Sequence, residues 1–88
     1  MSTKNVDSMT PGQCKAARAL LELTQGDLAD AAELGLSTVV DFEKKRRRVS
    51  ASAIQAIRET LVAGGVEFID ENGGGPGVRL RKRHQRKG

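Results

Sequence analysis

The sequence predicts a mainly α fold, four helices followed by a C-terminal β-hairpin, and three observations carry that prediction. Cap residues (Thr10, Thr24, Ser50) each precede apolar side chains recurring at helical spacing. Two short alternating segments near the C-terminus flank a glycine-dense loop. The chain has 88 residues with no Trp or Tyr and only two Phe, so its core must be aliphatic and modest. That is one small domain near the lower limit of what a single core stabilises, and it favours helices joined by short loops.

Residues 1–9 are polar and aperiodic, and are expected to be a disordered N-terminus. Thr10-Pro11-Gly12-Gln13 is a strong helix start: Thr10 as cap, Pro11 in the first turn, Gln13 closing a capping box. The first helix should run to about Glu22 with Cys14, Ala17, Arg18 and Leu21 on one face. Cys14 suits that face as a small hydrophobe. Arg18 does not, and calls for a partner or a route to solvent along its aliphatic stem.

From Leu23 to Arg48 the pattern is that of a helix-turn-helix. Thr24 caps a second helix, with Asp27 completing the box and Leu28, Ala29 and Ala32 on its buried side. Leu34-Gly35-Leu36 breaks the period, with Gly35 expected to supply backbone angles that other residues resist. A third helix follows, burying Val39 and Phe42 and turning Ser37, Val40, Asp41 and Lys44 outward. Five consecutive cations, Lys44 to Arg48, come next. A small, mixed outward face followed by cations suits the DNA major groove, which admits one helix.

Ser50 caps a fourth helix built on Ile54, Ile57 and Leu61 and ended by Gly64-Gly65. Val66 to Ile69 and Val78 to Arg81 alternate as strands, predicting a hairpin with Val66, Phe68, Val78 and Leu80 on one face. The Gly-Gly-Gly-Pro-Gly run lacks the Lys-Ser/Thr ending of a phosphate loop and is read as a turn. A lone hairpin is marginal in water, so this one must pack on its own helices or on a second copy. The organisation expected is therefore a disordered segment 1–9, a helix-turn-helix domain 10–64, a hairpin 65–81 and a basic disordered tail 82–88.

The net charge of +4 acquires meaning when mapped. Lys44 to Arg48, with Arg79, Arg81, Lys82, Arg83, Arg86 and Lys87, hold eleven of the fifteen Lys and Arg and enclose no acid. The remainder is acidic, and such segregation is the electrostatic footprint of a nucleic-acid binder. One Cys precludes an internal disulfide, and His84 in the tail stands far from it in sequence, so neither a metal nor a cofactor is expected. No secretory or membrane segment is visible, which points to the bacterial cytoplasm. The scattered acids assemble no catalytic constellation, and an enzyme is not expected.

Leu23-Thr24-Gln25, Leu28-Ala29, Ser37-Thr38-Val39 and Phe42-Glu43 together resemble the helix-turn-helix of the Cro/cI-type (XRE-type) bacterial and phage regulators. The resemblance is dense over about thirty residues and extends, with flanking helices, over roughly 10–64. It departs at Glu33, where the family usually has Gly, and at Gly35, where it usually has a Ser or Thr cap. It implies a lambda-repressor-like four-helix DNA-binding domain and a sequence-specific transcription regulator, of the class that includes repressors, acting as a homodimer on double-stranded DNA. Gln25 then corresponds to the family's phosphate-holding, reader-bracing glutamine. Leu36, Ser37, Thr38 and Asp41 hold groove-facing positions, and Val40 can touch a thymine methyl. Lys44, Lys45, Arg46 and Arg47 fall where phosphates are contacted. Arg18 corresponds to the family's partner for Glu43. Asp41 would be repelled by phosphates unless it accepts from cytosine or ties down a cation, with Lys44 or Lys45 in reach. With no bidentate reader on the helix, indirect readout is expected to matter. Lys82, Arg83, Arg86 and Lys87 are candidate DNA contacts in the tail. Some Cro-like proteins dimerise through a C-terminal strand, which gives the hairpin a second use. The alternative is an antitoxin or antirepressor that captures a protein partner and also binds its own operator; an accessory factor for recombination is a weaker one.

Overall fold

A computed structural model describes residues 9–71 and 73–81. The order is α1 (Pro11–Leu21), α2 (Gln25–Ala32), α3 (Leu36–Lys44), α4 (Ala51–Ala63), β1 (Val66–Ile69) and β2 (Gly77–Leu80). Thr10 accepts from the Gln13 backbone N–H at 3.0 Å, and the Gln13 side chain accepts from Thr10 N–H at 3.0 Å. The same reciprocal box joins Thr24 and Asp27, at 2.9 and 3.0 Å. Ser50 accepts from Ala53 N–H at 3.1 Å, whereas Gly35 starts α3 with no side-chain cap.

Three helices stop in the same way, each with a left-handed residue immediately after it: Glu22 (φ 59), Glu33 (φ 61) and Lys45 (φ 58). In each, the next residue's N–H returns to a carbonyl five back: Leu23 to Arg18, Leu34 to Ala29, Arg46 to Asp41, at 2.9 to 3.0 Å. These are Schellman closures, and Leu23 and Leu34 add the usual apolar contact by packing against the core. Gly35 therefore does not serve as expected. Its φ is −72°, open to any residue, and the left-handed position of the turn falls on Glu33.

The core is the shared interior of the helices and β1: Cys14 and Ala17, Leu28 and Ala29, Val39 and Phe42, Ile57 and Leu61, Val66, with Val49 from the α3–α4 loop. Met9 joins it at 5% exposure, so the expected disordered segment 1–9 does not extend to its last residue. Fully burying a side chain such as Leu28 or Ile57 contributes about 1.5–3 kcal/mol. Gly64 closes α4 where a Cβ would lie 2.8 Å from Leu21 Cδ1, so its smallness lets α1 and α4 approach. The positive φ beyond it belongs to Gly65.

β1 and β2 pair antiparallel in the register Val66↔Leu80, Glu67↔Arg79, Phe68↔Val78, Ile69↔Gly77. The hairpin packs on its own chain. Gln13 Nε2 donates to the carbonyls of Gly77 (3.0 Å) and Ile69 (3.3 Å), fastening the start of α1 to a register pair. Arg58 of α4 holds its guanidinium 4.9 Å from the Phe68 ring centroid. Val66, Phe68 and Val78 pack on the core, but Leu80 is 49% exposed and does not. Lys82, Arg83, Arg86 and Lys87 lie outside the described residues.

Candidate nucleic-acid interface

The amphipathic sequence of α3 sets its orientation. Val39, Phe42 and Glu43 are buried, so the opposite side exposes Ser37 and Lys44, with Thr38, Val40 and Asp41 half-buried beside them. Leu36, in the first turn, is 53% exposed. Beyond the helix Lys45, Arg46, Arg47 and Arg48 are all exposed, on a backbone bent sharply by the left-handed Lys45.

What fixes this helix is a carboxylate on its other side. Glu43 is only 2% exposed. Arg18 Nε donates to its Oε2 and Arg18 Nη2 to its Oε1, both at 2.8 Å, a bidentate pair linking α1 to α3. Gln25 Nε2 from α2 donates to Oε1 at 3.0 Å, and the Cys14 thiol to Oε2 at 3.1 Å. Burial alone would push the Glu43 carboxyl up; donors from Arg18, Cys14 and Gln25 outweigh it and hold it below the ordinary carboxylate value. The partner effects run the other way. Arg18 is raised by its bonds to Glu43, and the Cys14 thiol is raised first by burial and then by the carboxylate it faces. Arg18 also donates from Nη1 to Leu23 O at 3.1 Å, at the turn leading into α2.

Two of these partners were not found by sequence reasoning. Cys14 is a hydrogen-bond donor as well as a core residue; its place four before Arg18 on one helix face was the available signal. Gln25 donates to Glu43, on the buried side of α3. Asp41 needs a correction. It accepts from Arg47 Nε at 2.7 Å, not from Lys44 or Lys45, because the left-handed turn at Lys45 brings Arg47 back to the helix.

A family model described as helix-turn-helix matches residues 15–61, more than half of the chain, from α1 to the end of the α4 core. The chain belongs to the Cro/cI-type (XRE) helix-turn-helix family. It is a DNA-binding transcription regulator, with α2 and α3 as the two helices of the motif. No curated protein matches the chain. Among the described residues, no helix is long and apolar enough to cross a membrane.

Proposed function

We propose that this regulator binds a palindromic operator as a homodimer, with α3 of each subunit in a major groove. The observation that carries the reading is the joint exposure of Ser37, Leu36 and Lys44 on one side of α3 and of four more cations directly after it. In this reading Ser37, Thr38, Val40, Asp41 and Leu36 face base edges, and Lys44, Lys45 and Arg46 meet phosphates. Gln25, at the first turn of α2 and bonded to Glu43, braces α3 and in this reading also holds a phosphate. Lys82, Arg83, Arg86 and Lys87 add phosphate contacts to flanking DNA. Leu80, half exposed on the otherwise packed face of β2, gives the hairpin an apolar contact to offer a second copy.

Two protected half-sites about 34–36 Å apart, one DNA turn, are expected in a hydroxyl-radical footprint. Light scattering at the same concentration should give twice the chain mass. Protection confined to one half-site by a monomer would overturn the dimeric reading.

A further inference from the structure

Arg47 differs from the cations around it. Among the described residues, Lys44, Lys45, Arg46 and Arg48 make no ion pair, whereas Arg47 is fixed at Nε by Asp41 Oδ2 at 2.7 Å. Its side chain is nevertheless 52% exposed, and neither Nη has a hydrogen-bond partner among the described residues. Asp41 stands four residues after Ser37 and three before Lys44, so the guanidinium is delivered onto the outward face of α3 from the loop beyond it.

We infer that Arg47, positioned by Asp41, is a guanine reader; this rests on α3 facing the major groove. A cation meant for phosphate gains nothing from a carboxylate 2.7 Å away, because the phosphate repels the carboxylate as it attracts the guanidinium. Base reading gains from it. With Nε occupied, the far edge of the planar guanidinium presents two parallel N–H donors in a set direction, matching O6 and N7 of guanine. Adenine offers an acceptor and a donor there and cannot receive both. Pre-setting the side chain also reduces the ordering cost of the contact. The charge is nearly balanced within the pair, so Arg47 adds direction where its four neighbours add attraction.

The test is selection of duplexes from a random library by the full chain and by Arg47→Lys, Arg47→Ala and Asp41→Ala, with affinities at several salt concentrations. The wild type is expected to enrich a site containing a guanine whose preference over adenine drops about 5- to 150-fold in Arg47→Lys. The salt dependence of Arg47→Lys should be unchanged, since its charge is kept. Asp41→Ala should lose the same preference while binding random DNA more tightly at low salt, with a slope steeper by up to about 0.9. Melting temperature serves as the folding control, and Arg47→Lys should match the wild type. If Arg47→Lys leaves every base preference intact while Arg47→Ala weakens all duplexes alike and flattens the slope by about 0.9, Arg47 is a phosphate contact and the inference fails alone. If the wild type enriches no sequence, the groove-facing assignment of α3 fails, and the inference with it.

Discussion

Glu43 takes hydrogen bonds from four donor atoms on two other helices, at 2.8 to 3.1 Å, and its side chain is almost wholly enclosed. Removing either member of the Arg18–Glu43 pair leaves the other without its charge partner. Each single change to Ala is expected to cost about 3–5 kcal/mol, and the double change less than their sum. Thermal or denaturant melts of the four proteins measure this, and additive losses would show that the pair is not coupled. The same carboxylate gives stability a pH dependence. Its pKa is lowered in the folded protein, so its contribution is complete above the ordinary carboxylate pKa and disappears as pH falls through the lowered value. Asp27, lowered by its bonds to Thr24, acts with the same sign, so the comparison must be with Glu43→Gln. That variant should be less stable at neutral pH and lose less melting temperature than the wild type on acidification. An equal acid loss in both would remove Glu43 from the account.

At the scale of elements, the helix starts were legible because capping is local: Thr10, Thr24 and Ser50 announce α1, α2 and α4 within three residues of chain. The turn of the motif was harder. Gly35 attracted the role of left-handed residue by its identity, whereas the family pattern puts that role at position 33, and the α2 C-terminus has it there, on Glu33. A non-glycine residue there costs about 1–2 kcal/mol, and glycine gives back about 0.5–1 through its own entropy. Glu33→Gly should therefore stabilise the protein by about 0.5–1 kcal/mol in chemical denaturation; a destabilised variant would mean that the Glu33 side chain contributes something unseen. Gln13 was legible as a cap and illegible as a clasp, since its bonds to Ile69 and Gly77 join residues more than fifty apart. Gln13→Ala removes donors from two carbonyls together with half of a capping box, a loss of about 1–3 kcal/mol. Amide exchange should quicken across β1 and β2 ahead of the helices, and unchanged hairpin exchange would show the clasp to be incidental.

Across the whole molecule, charge segregation and the motif indicated a DNA-binding face, and the fold sets that face by one buried carboxylate shared among α1, α2 and α3. The sequence left open whether the hairpin packs on its own chain, because alternation names a buried face without naming what covers it. Val66 against the core and Gln13 on the β1–β2 carbonyls answer for the intrachain side, and the exposed Leu80 remains beyond it. The pairing of Asp41 with Arg47 was equally out of reach, since it depends on the sharp turn at Lys45. In the proposed binding mode the outward side of α3 and the cations after it meet DNA. Backbone amide shifts of labelled protein titrated with an enriched duplex test it most directly. The account predicts the largest changes at Gln25, at Leu36 to Asp41 and at Lys44 to Arg48, with a scrambled duplex moving the cations but sparing Ser37 and Asp41. Changes centred on α1 or the hairpin, with α3 still, would contradict it.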